Sequence, residues 1–200
     1  MDQDHISGIT ELMEGCDKPG NIKINNLVLP DTNLNDEAYQ NIVHLAKDKN
    51  IPIIYFKKGD KLIDGDLKFT CLHPYPGFET DNRNNYSTVL WMQYKDMDML
   101  FTGDVSDEGE NAFIESGLPE CEVLKLAHHG SKYTNSEEFL AQVSPKYAVV
   151  SAGKDNDYGH PNKETIERLN AIGTKSYCTI DYGAIELKTD GKRLIINSYN

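Results

Sequence analysis

An α/β fold is what the sequence predicts, and three observations predict it. Short apolar runs of strand length alternate with stretches whose apolar residues recur at helical spacing. No internal repeat or low-complexity tract breaks the alternation. Several apolar runs stop abruptly at Asp or His, which sets potential metal-binding side chains at the rim of a sheet. The chain has 200 residues, enough for a sizeable core, so residues 1–200 are read as one domain.

Ile6 to Met13 reads as a short helix, and Leu27 to Pro30 as a strand. Asn35 is placed to cap a helix whose first turn carries Asp36 and Glu37 and which runs to about Lys49. Its apolar face holds Ile42, Leu45 and Ala46, which leaves His44 as an ordinary helix residue. Pro52 to Phe56 is the next strand. Lys61–Ile63 and Leu67–Leu72 form a hairpin across Asp64-Gly65-Asp66, and Ser87–Tyr94 with Asp98–Phe101 a second. Between them runs an irregular loop, Pro74 to Asn85, whose Tyr75 and Phe78 are expected to cover a substrate and stack on its bases. A helix over Asp107–Glu115 precedes a strand over Glu122–Ala127 that ends at two histidines. Thr134-x-x-Glu137 has the capping-box spacing before a short helix. Tyr147–Ser151 is a strand, Pro161 suits the first turn of a helix closed by Gly173, and two or three short strands finish the chain.

Bulk composition narrows the function classes. No apolar run approaches the roughly 18 residues that would span a bilayer, no signal-peptide pattern is present, and a soluble domain is expected. The net charge of −12 argues against broad nonspecific binding to nucleic acid. It leaves a phosphodiester substrate open, because bound divalent cations would invert the field locally. Cys16, Cys71, Cys121 and Cys178 are too dispersed for a thiolate metal site and read as free thiols.

The chemistry concentrates in three clusters: Asp2-Gln3-Asp4-His5, Thr102-Gly103-Asp104, and His128-His129-Gly130-Ser131. In an extended-to-turn segment, Asp2 would face one cation while Asp4 and His5 turn toward a second. Asp104 has two oxygens with which to bridge them. Imidazole nitrogen with carboxylate oxygen suits Zn²⁺ or Mn²⁺. Two such ions about 3.5–4 Å apart would clamp the attacking and leaving oxygens of a hydrolytic displacement. Gly103 lets backbone approach the ions, and Gly130-Ser131 supplies donors for an anionic oxygen.

These residues resemble the metallo-β-lactamase superfamily, and more sharply the hydrolase domain of the ComEC family of DNA-uptake competence proteins. The resemblance is carried by Asp4-His5-Ile6-Ser7-Gly8, Thr102-Gly103-Asp104, His128 to Ser131, and Ser151, Gly153, Asn156 with Tyr158-Gly159-His160-Pro161. It implies a four-layer αββα sandwich lacking its first strands. It implies two divalent metals, Zn or Mn, in the intact domain. Asp2 would serve the first site, and Asp4, His5 and His129 the second, with Asp104 bridging. His129 is favoured over His128 because it directly precedes the Gly-Ser turn. His128 and His160, with Asp104, take the catalytic roles; Ser131, Asn156 and Tyr158 contact substrate.

Against the family pattern, the first His of the metal motif is absent and the middle strand-end His has no clear counterpart. Asn84 or Asn85 occupies that region, with His73 a rival. The stretch is therefore expected to lack the fold's upstream part, to be weakly active or inactive, to hold one cation weakly or none, and to leave Asp2 to His5 mobile. The implied activity is hydrolysis of phosphodiester bonds in DNA, with single-stranded DNA as substrate. The implied partners are membrane channel domains of a bacterial membrane-associated parent protein. A small-molecule ester or lactone hydrolase, or an impaired docking module, stays open.

Overall fold

The computed structural model describes residues 3–16, 22–34, 36–106, 108–115 and 117–199. Helix α1 (Gln3–Gly15) opens it, followed by strand β1 (Leu27–Pro30), helix α2 (Glu37–Asp48) and strand β2 (Ile53–Phe56). Next come β3 (Lys61–Asp64), β4 (Leu67–His73), β5 (Val89–Tyr94) and β6 (Met97–Phe101). Strands β7 (Val123–Lys125), β8 (Tyr147–Val150) and β9 (Lys175–Cys178) then alternate with helices α3 (Glu108–Ile114), α4 (Glu137–Val143) and α5 (Lys163–Ala171). A single helical turn, α6 (Thr179–Tyr182), leads into β10 (Ala184–Thr189) and β11 (Leu194–Tyr199).

Strands β3 to β9 form one seven-stranded sheet in sequence order. The first four run antiparallel as a meander. The pairings from β6 onward are parallel, and each needs a crossover, supplied in turn by α3, α4 and α5. The period-two alternation of these strands divides the core. Leu100, Leu124 and Ala148 are register partners that pack with Phe113, Phe139, Leu140 and Leu169 of the three helices. Met99, Val123 and Val149 belong to a second cluster, against Ile185, Leu187 and Leu194 of the β10–β11 ribbon. A third cluster joins α1, α2 and β1 through Ile6, Met13, Leu29, Ile42 and Ala46.

Several expectations need correction. Helix α1 begins three residues earlier than the apolar pattern suggests, so Asp4 and His5 lie in its first turn rather than in an extended segment. A carboxylate there is favoured by the exposed amides and the helix dipole. The cap of α2 is Asp36, which accepts from Tyr39 N at 3.2 Å, while Asn35 lies outside the described residues. Ser136, not Thr134, caps α4 by accepting from Phe139 N at 3.1 Å. Asn162 occupies the cap position of α5, so Pro161 precedes that helix instead of starting it. In the long loop, Phe78 is buried and meets His73 edge-on at 4.6 Å, with Tyr75 and Tyr86 also against it. That ring supports the loop and is not free for a base.

Candidate metal centre

In register, Phe101 of β6, Lys125 of β7 and Val149 of β8 lie side by side, so the three strands end together. Ligand sites in parallel sheets open at this carboxyl edge. Beyond β6, Thr102 Oγ1 donates to Lys125 O at 2.6 Å and closes the strand end. Gly103 turns the chain at φ +54°, and a β-carbon there would lie 2.7 Å from Ser87 Cβ. Ser87 Oγ accepts from Asp104 N at 2.9 Å. Beyond β7, His128 N donates to Gly103 O at 3.0 Å, which ties the two rims together. His128 (φ 48°, ψ 49°) and His129 (φ 54°, ψ 19°) are both left-handed, an arrangement that costs on the order of 1–3 kcal/mol per residue.

This backbone brings four expected ligands together. One donor atom from each of Asp4, His5, Asp104 and His129 lies within 4.8 Å of all the others. His5 Nε2 is 3.0 Å from Asp104 Oδ2 and 3.8 Å from Asp4 Oδ2. His129 Nε2 is 3.0 Å from Asp4 Oδ2 and 3.5 Å from Asp104 Oδ2. Asp2 lies outside the described residues. Asn84 lines a smaller cavity beside His5 and Asp104. Asn85 is buried and accepts from Ser106 N at 2.9 Å. His73 is buried behind it, its Nε2 2.7 Å from Asn85 O, and it does not join the four.

The orientation of His129 decides what the cluster can hold. Its Nδ1 lies 2.7 Å from Ser151 O, and a carbonyl only accepts, so Nδ1 carries the proton. In the neutral ring Nε2 is then a lone pair facing two carboxylates. Buried His129 Nε2 and Asp104 Oδ1 both lack an aligned hydrogen-bond partner among the described residues. Lone pair against carboxylate is repulsive unless a positive charge intervenes, and a proton or a cation would serve. The Asp104 carboxylate accordingly raises the pKa of His5 and of His129, against the opposing effect of burial. Burial pushes Asp104 up, but His129 and His5 outweigh it and hold the carboxyl well below its ordinary range. Two imidazoles with two carboxylates, plus orphaned donors, fit a divalent cation of the Zn²⁺ or Mn²⁺ type. The carbonyl behind His129 is the outer-shell partner that such ligands use to fix their tautomer.

The cluster opens into a cavity of about 770 Å³ lined by Asp4, Asp104, His128, His129, Asn156, Tyr158 and His160. His160 packs edge-on to His128, with ring centroids 5.5 Å apart. Burial, with His128 and His129 nearby, lowers its pKa. Tyr158 is 80 % exposed, and its ring lies 5.7 Å from that of His160, tilted by 23°. The side chain of Asn156 is used within its own loop: it accepts from His160 N at 2.8 Å and donates to His160 O at 2.7 Å. Ser131 is buried, with its oxygen toward Tyr133 N rather than toward the cavity.

A model of the metallo-beta-lactamase superfamily matches residues 1–154. The chain belongs to that superfamily. ComE operon protein 3 of Bacillus subtilis is 33 % identical over 189 residues, covering 94 % of this chain and 23 % of that protein. Competence protein ComA of Neisseria gonorrhoeae is 38 % identical over 122 residues, 60 % of this chain and 18 % of that one. The resemblance to competence proteins expected from the motifs therefore holds, and the chain spans less than a quarter of either relative. The metallo-beta-lactamase fold protein YhfI of Bacillus subtilis superposes with a TM-score of 0.55 at 11 % identity, covering 89 % of this chain and 70 % of that one, a likeness of fold alone. As a metallo-beta-lactamase superfamily member, the chain has the fold of metal-dependent hydrolases, with two candidate ligands at the sheet edge and two on α1.

Two contributors to this superfamily site escape a reading of motifs. The Ser151 carbonyl is backbone and has no residue signature. Lys125 buries its stem at the end of β7, donates from Nζ to Leu126 O at 2.9 Å, and has its pKa lowered by burial and raised by Asp104. Its signal was available: a lysine inside the apolar run Val123 to Ala127.

Proposed function

We propose that this chain is a metal-dependent phosphodiesterase acting on single-stranded DNA, as a module of a membrane-associated DNA-uptake protein. The supporting observation is the four-donor cluster, three of whose members, Asp4, Asp104 and His129, line a large cavity shared with the exposed ring of Tyr158. Its relatives are competence proteins, which favours DNA over a small ester or lactone. Among the described residues no helix is long and apolar enough to cross a membrane.

Asp4, His5, Asp104 and His129 would hold one divalent cation. When bound, the cation supplies Lewis-acid activation of water and neutralises charge at the phosphate. The protein does the remainder. Asp104, whose carboxyl His129 and His5 hold well below its ordinary range, would stay anionic as a ligand for that cation. Ser151 keeps the His129 proton on Nδ1. His160, its pKa lowered, is a neutral imidazole at pH 7 that stabilises a phosphoryl or leaving oxygen by hydrogen bonding. Tyr158 offers a flat face to an unpaired base beside the scissile phosphate; stacking of this kind contributes about 1–3 kcal/mol per base.

The test supplies Mn²⁺ or Zn²⁺ to the purified chain and compares single-stranded DNA, duplex DNA, bis(p-nitrophenyl) phosphate and a lactone. Weak cleavage of the single strand and of the small diester is expected. Lactone turnover with both phosphodiesters intact would replace this reading with the small-molecule one.

A further inference from the structure

The left-handed His128-His129 turn has one hydrogen bond of its own, from Ser131 N to His128 O at 2.9 Å. The segment that follows it, Ser131 to Ser136, is gripped from two sides. From α3, buried Glu110 accepts Asn135 N at 2.6 Å on one oxygen and Ser136 N at 2.9 Å on the other. From α5, Arg168 donates to Lys132 O at 3.1 Å, Thr134 O at 3.0 Å and Asn135 O at 3.3 Å. A carboxylate thus takes only amides and a guanidinium only carbonyls, each matched to backbone dipoles. Held this way, Asn135 is wholly buried and itself left-handed at φ 55°. Its amide brackets Ala127: Oδ1 accepts from Ala127 N at 3.1 Å and Nδ2 donates to Ala127 O at 3.1 Å. Nδ2 also donates to Thr134 Oγ1 at 2.6 Å. Ala127 is the residue from which the two histidines turn.

We propose that Glu110, Asn135 and Arg168 are positioning residues that hold Ala127, and through it aim His129 Nε2 at Asp4 and Asp104. The inference rests on the metal reading above. Its chain of cause is short. Arg168 and Glu110 fix the Asn135 backbone, the Asn135 side chain fixes both backbone groups of Ala127, and the strained turn then has one place to put the His129 ring. Loss of the bracket lets the turn relax toward right-handed geometry and carries Nε2 out of the cluster.

Co²⁺ titration of the full chain, followed by visible absorption, reads affinity and ligand geometry without requiring turnover. Asn135→Asp keeps the shape and the acceptor to Ala127 N but loses the donor to Ala127 O. It should weaken Co²⁺ binding about 10–100-fold, the range typical of lost outer-shell partners, and change the band intensities. Glu110→Gln should act in the same direction. Thr174→Val is the control: it removes a buried hydroxyl that donates to Pro145 O at 2.6 Å, and should lower the melting temperature while leaving Co²⁺ affinity unchanged. Unchanged affinity and spectrum in folded Asn135→Asp and Glu110→Gln would overturn the proposal. If either fails to fold, Arg168→Lys carries the same expectation at smaller size and the same refutation. A wild-type chain that takes up no Co²⁺ refutes the metal reading itself; wild-type uptake with indifferent variants refutes only the positioning role.

Discussion

The four donors come in two pairs that the fold holds in different ways. Asp104 and His129 stand on the edge of the seven-stranded sheet, with side chains 9 % and 23 % exposed. Ser87, Gly103 and Ser151 fix their backbone or ring. Asp4 and His5 stand on the first turn of α1, with side chains 57 % and 40 % exposed. What steadies them is that helix's seat on the separate core of α1, α2 and β1. One pair is pre-organised by buried polar groups, and the other is delivered by the docking of a helix. Rigid ligands contribute their full binding energy, whereas delivered ones give part of it up in becoming ordered.

Asp104 should break this comparison most severely, because it is the most buried of the four donors and meets both histidines. Asp104→Ala is expected to lower bis(p-nitrophenyl) phosphate hydrolysis by more than about 10³-fold, as for residues that act as a unit. Near-normal turnover would dismiss the shared-centre model. Next, Met13→Ala opens a cavity in the core beneath α1, where Met13 is 1 % exposed. A loss of about 2–5 kcal/mol in urea unfolding is expected, together with weaker Mn²⁺ binding by calorimetry. Phe139→Ala in the main core should destabilise at least as much yet disturb affinity less. The reverse ranking would mean that α1 does not deliver its ligands as described.

A finer comparison sets single ligands side by side. His129→Ala should cost roughly tenfold more Mn²⁺ affinity than His5→Ala, the scale of effect seen when ligand orientation is lost. Equal losses would say that the two pairs are equally ordered. The smallest effect concerns a histidine outside the cluster. Burial lowers the pKa of His73, partly offset by the Asn85 carbonyl. The unfolded chain therefore binds its proton first, near pH 6.5, and the folded chain only at lower pH. Stability from this group is complete above about pH 6.5 and is lost as pH falls below it. In the metal-free chain, His73→Gln should flatten the decline of stability between about pH 6.5 and 5. An unchanged slope would remove His73 from the account. His5 and His129, whose pKa values are raised, work in the opposite sense and lose their contribution as pH rises.

How much of this was legible in the chain depends on the type of signal. Strands such as Leu67–His73 and Met97–Phe101 announce themselves by alternation between turn formers, and the seven-stranded order follows from meander and crossovers. Asp104 and His129 were readable because apolar strands end just before them. The start of α1 was not, since Asp4 and His5 add nothing to an apolar pattern, although the Asp4 carboxylate suits a helix's first turn. Thr134 misled because its spacing to Glu137 fits a capping box, while tertiary contacts draw its hydroxyl toward the carbonyls of Ala127 and Ser131. Phe78 misled because a loop rich in turn formers still needs its own apolar filling. Ser131 and Asn156, expected to contact substrate, have partners within the protein that spacing alone does not reveal.

Gly130 has a consequence for how this centre tolerates change. At φ +83° a β-carbon there would come within 2.7 Å of Pro161 Cβ and 3.2 Å of Pro161 Cα. The loop that carries the His129 ring and the loop that carries His160 thus interlock at a spot with no spare volume. Randomising position 130 alone in a library should return glycine almost exclusively. Randomising position 161 alone should return many residues that fold but no partner that admits a side chain opposite. A side chain at position 130 therefore has to be matched by a displacement of the backbone at Pro161, so that one position links the two loops.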